Sequence, residues 1–345
     1  GDLRDALNNA KQRLDFCSVT GHAHWPDMPE RSETTAHIVD FHERGFQKLK
    51  GNWRESVATL REAEVSGSFL TFPGFEVHSS ADGDRAVVYR DPEGELLYPD
   101  SIPELHRWIA ELTASGKPAL ALPHHIGYRR GARGMNWENF DPEVSPIVEI
   151  YSMHGSAETT EGPLPFLHSM GPADLDSTVR HGLEMGYIFG FVADTDHHSA
   201  HPGSYGHGMH GVWAAELSRE AIWEAYRRRR TYALTGDKIR LDYSIGDAPM
   251  GAVRSADGPK ALRISLAGGA PIDYVDLIHN GRLVRRITPV EMERAAPPHA
   301  EVLGSEAVGG ASARAGGLAG GAVDDPSGAV SACPSTGWIH TKLYL

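Results

Sequence analysis

The sequence predicts an α/β protein, a barrel or sheet of short apolar strands alternating with helices, followed by a small β appendage. Three observations predict it. Apolar runs such as Ala119-Leu120-Ala121-Leu122 and residues 187–192 have strand length and are bounded by Pro or Gly. Between them lie stretches with helical spacing, such as Trp53, Val57 and Leu60. Polar groups then recur just past the carboxyl ends of the runs, the edge at which α/β barrels assemble their chemistry.

Residues 5–13 read as helix and 14–20 as a strand running into Gly21-His22-Ala23-His24. Residues 36–64 are helical, and 69–72 form a strand ended by Pro73-Gly74. A strand at 86–89, a helix at 103–112 opened by Pro103, and a strand at 119–122 stopped by Pro123 follow. Residues 147–151 are a strand, 173–185 a helix, 187–192 a strand, and 218–230 a helix with Ser218 as N-cap. Near Ile239 the pattern changes to strand alternation and turns, with Asn280-Gly281 as a hairpin signal. The organisation read is a barrel domain over 1–238, a small β-sandwich-like domain over 239–293, and a Gly/Ala-rich tail over 294–345 expected to be disordered.

Composition narrows the function classes. The formal charge of −13 disfavours binding to phosphate backbones, so no nucleic-acid partner is expected. No uninterrupted apolar run reaches about 18 residues, so no membrane partner is expected. Two cysteines, Cys17 and Cys333, exclude a disulfide framework and a four-thiolate zinc site. The expected location is the cytoplasm, with a removed leader left open because the chain does not start with Met. A homo-oligomer is equally left open.

Nineteen histidines are the unusual count, and several are grouped: His22/His24, His124/His125 and His197/His198/His201. Asp196-His197-His198 places a carboxylate and an imidazole two residues apart, which in an extended segment point the same way. His22, Glu76, His124 and His154 fall at other strand ends. Nitrogen and oxygen ligands without sulfur suit zinc, manganese or iron in a catalytic centre. His24, His78 and His197 read as neighbours rather than ligands, Asp194 as structural, and Trp25, Trp137 and Trp213 as packing residues. The run Arg227–Arg230 reads as a solvated helix end.

Five stretches together, residues 16–29, 73–91, 123–134, 148–158 and 194–206, with the run beginning at Gly211, resemble the polymerase-and-histidinol-phosphatase (PHP) superfamily of metal-dependent phosphoesterases. More narrowly they resemble its bacterial branch of unknown function. The resemblance implies a distorted (β/α) barrel of seven strands with two or three divalent metal ions. It makes His22, Glu76, His124, Asp196 and His198 the metal ligands, Glu76 bridging. His154 and His201 become ligands or proton donors to the leaving group. His125 competes with His124 and otherwise faces the substrate, alongside Arg85, Tyr128 and Arg133, which would hold a substrate anion. The chain departs from the family in lacking the opening His-x-His and in carrying Gly21 where Asp is usual. One alignment makes residues 2–10 the first helix and places the His-x-His strand upstream. The function implied is metal-dependent hydrolysis of a phosphoester in a small anionic molecule. The alternatives are hydrolysis of an amide or other non-phosphorus bond, and a degenerate, non-catalytic metal-binding relative.

Overall fold

The computed structural model describes residues 2–164, 170–254, 261–291 and 339–344. Two compact units contain them: residues 1–236 with Met250–Val253, and the described parts of 237–249 and 254–345.

The first unit opens with helix α1, Leu3–Lys11. A capping box starts it: Asp2 accepts from Asp5 N at 2.8 Å, and Asp5 accepts from Asp2 N at 3.4 Å. Strand β1 (Phe16–His24), helix α2 (Ala36–Ala63), strand β2 (Leu70–Val77), strand β3 (Arg85–Tyr89), helix α3 (Ile102–Ala114) and strand β4 (Ala119–Pro123) follow. These strands form one sheet in the order β1-β2-β3-β4. β2 runs parallel to β1, whereas β3 runs against both β2 and β4, so β1, β2 and β4 all end on one edge and β3 begins there.

β2 is the pivot. Only its first residue is not fully buried, the pattern of a strand covered on both faces. Phe75 and Val77 pack with Val87, Ala121, Ile102, Leu105 and Ile109 into one core, and alternation turns Glu76 to the other face. The strand does not stop at Pro73-Gly74, as expected from sequence, but runs through it. β3 joins only from Gly74 onward, so at Pro73 the strand has one paired side, where a residue without N–H is tolerated. At Gly74 a Cβ would meet Ser18 Oγ at 2.5 Å, Val87 O at 2.8 Å and Thr20 Cγ2 at 2.9 Å.

Strands β5 (Ile147–Ser152), β6 (Gly155–Ser156) and β7 (Gly190–Ala193) form a second sheet in the order β6-β5-β7, with β5 and β7 parallel. Helix α4 is Val179–Glu184. It is shorter than the expected 173–185 because Thr178, extended at ψ 161°, caps it, while Asp174 caps a separate 3₁₀ turn at Leu175–Ser177. Strands β8 (Met209–Val212) and β9 (Thr231–Leu234) pair antiparallel around helix α5 (Arg219–Arg227), which Ser218 caps as expected.

The unit is mixed α/β with several sheets, and strand pairing closes no seven-stranded barrel among the described residues. Two local reasons are visible. β3 is an antiparallel insertion rather than a β/α repeat. The outer side of β4 is met by the turn before β5, not by β5: Ala121 N donates to Val144 O at 3.2 Å, and Ser145 Oγ donates to Ala121 O.

The second unit has two three-stranded sheets. Strands β10 (Arg240–Ile245), β11 (Ala248–Pro249) and β12 (Leu262–Ala267) form one, in the order β11-β10-β12. Strands β13 (Ile272–His279), β14 (Arg282–Ile287) and β15 (Ile339–Tyr344) form the other, in the order β14-β13-β15. The β13–β14 hairpin turns on Asn280 and Gly281, with φ of 49° and 68°, both positive as a type I′ turn demands. The expectation of a disordered tail falls mostly outside the described residues, but Ile339–Tyr344 corrects it locally by pairing parallel with β13. Among the described residues no helix is long and apolar enough to cross a membrane.

Gly74→Ala forces a methyl group against backbone and side-chain atoms of both neighbouring strands. It is expected to lower the unfolding free energy by about 1–3 kcal/mol. Urea unfolding followed by circular dichroism measures it; an unchanged midpoint would show that β1 and β3 separate without cost.

Candidate metal centre

The cluster forms where β1, β2, β4, β5 and β7 end. His22 and Glu76 are register partners on β1 and β2, and His22 Nε2 lies 3.4 Å from Glu76 Oε2. Glu76 Oε1 is 3.1 Å from His78 Nδ1 and 3.2 Å from His124 Nε2. Asp84, just before β3, lies 2.8 Å from His78 Nδ1 and 3.4 Å from His125 Nε2 through Oδ2. Its Oδ1 accepts from Ser79 N at 3.0 Å. Past β5 and β7, His154 Nε2 lies 2.9 Å from Asp196 Oδ2, and His124 Nδ1 lies 3.8 Å from the same oxygen.

Three groups of side chains offer ligand atoms within 4.8 Å of one another: His22, His42 and His78; Glu76, Asp84, His124 and His125; and His125, His154 and Asp196. Whether these fit metals can be judged from what they leave unsatisfied. Among the described residues, several buried side-chain polar atoms lack a hydrogen bond of proper geometry; His78 Nε2, His124 Nε2, His125 Nδ1 and Asp196 Oδ2 belong to these groups, and others, such as those of His106, Trp137 and Thr231, lie elsewhere. Buried polar atoms are normally paired, and a bound cation would satisfy the unpaired ring nitrogens of His78 and His125. The donor set, nitrogen and oxygen without sulfur, suits a catalytic divalent ion.

The backbone is shaped for this. His125, Arg133 and Asp196 have φ of 37°, 67° and 46°, a left-handed conformation that costs side-chain-bearing residues energy and collects at functional sites. Supporting contacts aim the ring pair. His125 N donates to Glu149 Oε1 at 2.8 Å, and the Tyr128 hydroxyl lies 2.8 Å from His154 Nδ1.

Electrostatics follow from burial and mutual charge. Burial pushes the Glu76 carboxyl up, but His78, His124 and His22 outweigh it and hold the group well below the usual range. Asp84 is likewise raised by burial and brought well below its usual value by Arg133 and His78. For Asp196, His124 and His154 overcome burial in the same direction. Burial lowers His124, yet Glu76 and Asp196 carry it well above its ordinary value. His22, where burial outweighs Glu76, is lowered to about 4, and His125, buried beside His124, to about 3. Burial raises Glu149 well above the carboxylate range.

Of the residues singled out in the sequence, His22, Glu76, His124, His125, His154 and Asp196 come together. His198 does not join a ligand group: it is exposed at the rim, its ring 5.8 Å from that of His22. Only an extended backbone would align it with Asp196, but β7 ends at Ala193 and Asp196 is left-handed. His201 is exposed and paired with Asn9 at 3.1 Å. Arg85 does not face a substrate. It is fully buried, and its Nη1 donates to the carbonyls of Asp82, Gly83 and Asp84, so it ties together the turn that presents Asp84. Tyr128 is also fully buried, against His154 rather than at an opening. Arg133 is drawn to Asp84 and Glu76 and lies over Trp25 at 5.2 Å.

From sequence, His78 reads as a neighbour rather than a ligand and Glu149 as a strand-end carboxylate that could pair with an Arg, and neither Asp84 nor His42 is singled out. His78 sits two residues past Glu76, and the alternation applied to Asp196 and His198 would have found it. His42 follows Val39 on the buried side of α2, a histidine on an apolar stripe. Asp84 lies in a turn and carried no periodic signal.

The family of proteins of unknown function DUF3604 matches residues 202–249. An uncharacterized protein of Chlamydia pneumoniae is 32% identical over 259 residues, 69% of this chain and 41% of that protein. Uncharacterized proteins of Chlamydia trachomatis and Chlamydia muridarum are 31% and 30% identical over 45% of this chain and 28% of their own lengths. The chain thus spans well under half of these relatives. Among solved structures, a two-domain protein of Bacteroides vulgatus, described as containing a predicted PHP-like metal-dependent phosphoesterase, aligns with a TM-score of 0.36 at 14% identity, over 77% of this chain and 81% of its own. PsfC of Pseudomonas syringae aligns with a TM-score of 0.26 at 18% identity, over 43% of this chain and 57% of its own.

The shifts set a pH window for the metal-free protein. Glu76, depressed below 4.5, stabilises fully above that value and loses its contribution as pH falls toward its folded pKa. His124, raised above 6.5, stabilises fully below that value and loses its contribution as pH rises through its folded pKa. With chelator present, the melting-temperature gap between wild type and Glu76→Gln is expected to be widest between pH 4.5 and 6.5. A gap independent of pH would remove charge pairing as its source.

Proposed function

We propose that this chain is a divalent-metal-dependent hydrolase acting on a phosphoester of a small anionic molecule. The observation that carries the proposal is the gathering at the strand ends of three groups of imidazoles and carboxylates whose ligand atoms lie within 4.8 Å of one another. The ligands proposed are His22, Glu76, His124, His125, His154 and Asp196, with His78 and Asp84 added from the geometry, and His42 completing a histidine group with His22 and His78. Full occupancy is two or three ions of zinc, manganese or iron, given the ligand types. When bound, such ions supply Lewis acidity and a water acidic enough to be a nucleophile near neutral pH.

The chain's own residues do the rest. Tyr128 fixes the ring of His154 through Nδ1, so that Nε2 stays aimed at Asp196. Glu149 holds the backbone at His125. His198 and His201, exposed at the rim, are proposed to meet substrate or leaving group rather than ligate. The phosphorus specificity rests on the resemblance of the five motif stretches to the PHP superfamily.

Protein reloaded with manganese after chelation is expected to hydrolyse a generic aryl phosphate or phosphodiester. Asp196→Ala should lower kcat/KM by at least about a hundredfold, and Tyr128→Phe by about tenfold, as for a residue that orients a ligand. Full metal content with turnover of amides alone would replace the phosphoester by the amide reading. Full metal content with no turnover would leave a non-catalytic metal-binding protein.

A further inference from the structure

The guanidinium of Arg133 stands among groups that would hold a cation. Its Nη2 contacts Asp84 Oδ2 and His78 Nδ1 and lies 3.4 Å from Glu76 Oε1, while its Nε donates to Asp84 Oδ2 at 2.8 Å. These groups also face one another: His78 Nδ1 is 3.1 Å from Glu76 Oε1 and 2.8 Å from Asp84 Oδ2. Nitrogen and oxygen ligands each about 2.1 Å from one divalent ion stand about 3 to 3.5 Å apart, so His78 Nδ1 already has nearly that spacing from each carboxylate oxygen.

Two carboxylates whose side chains are 4% and 0% exposed need a compensating charge. Arg133 supplies one, and its loop is built to keep it there. Gly131 N donates to Ser80 O at 2.9 Å, Gly134 N to Arg129 O at 3.2 Å, and Met135 N to Ile126 O at 3.0 Å. A Cβ at Gly134 would overlap Tyr128 O at 1.6 Å, so the chain passes there only as glycine. The left-handed backbone of Arg133 then turns its side chain inward, under the cation–π contact with Trp25.

We propose that Arg133 is an internal cation filling one metal position, between Glu76, His78 and Asp84, so that the chain holds one divalent ion fewer than its ligands could bind. The inference rests on the metal-centre reading above. A guanidinium satisfies the charge but accepts no further ligand, so this corner neutralises carboxylates without polarising a substrate. The ion-binding chemistry is left to the side formed by His124, His125, His154 and Asp196.

The test is metal stoichiometry. Wild type, Arg133→Met and the exposed-loop control Arg129→Met are stripped with chelator, equilibrated with manganese, desalted and analysed by mass spectrometry. Arg133→Met is expected to hold one manganese more per chain than the other two, which should be equal. Equal, non-zero content in all three overturns the inference and leaves the metal reading standing; no metal in any of them overturns both. If Arg133→Met does not fold without metal, refolding it with manganese, but not with sodium chloride at equal ionic strength, is the expected result. Failure of manganese to restore the fold overturns the inference.

Discussion

Burying two carboxylates in the middle of a protein is the constraint on which the rest of this unit depends. Glu76 lies on the most enclosed strand and Asp84 at the start of the next, and both are shut away from water. An isolated ion in such a place is prohibitively costly, so each must be met by positive charge and hydrogen-bond donors. His22, His78, His124, His125 and Arg133 all answer that need. They come from four places in the chain, His124 and His125 being adjacent, so the demand for countercharge and hydrogen-bond partners at one point draws those strand ends and loops together.

The direction of β3 makes this possible. A sheet of parallel strands alone would present only strand ends at the site edge. One antiparallel strand brings a strand beginning there, and with it the turn that carries Asp84 and the backbone carbonyls that enclose Arg85. The same strand interrupts the β/α repeat, so the feature that supplies a carboxylate also breaks the succession of a closed barrel.

Much of the site was legible in the sequence because strand ends are. Apolar runs locate the sheet edge, and His22, Glu76, His124, His154 and Asp196 were found by their position just beyond such runs. What was not legible depended on backbone conformation or on distant partners. A positive φ at Asp196 turns His198 away, and no local pattern announces it. Arg85 and Arg133 have the same side chain, but one is consumed by carbonyls of its own turn and the other reaches into the cluster. Closure of the expected barrel is not legible in the sequence for a related reason. Strand lengths and spacing are local, whereas closure depends on which strand pairs with which.

The turn that occupies the outer side of β4 has a consequence for the molecule in company. An open strand edge is a template on which another chain can add a strand, and proteins blunt such edges to stay apart from their copies. Here the backbone at Ala121 is engaged by Val144 and Ser145, a cover supplied by the connection to the next strand. Such a cover needs no charged or proline residue on β4 itself, which leaves that strand free to be apolar throughout and ends the sheet without inviting a stranger to extend it.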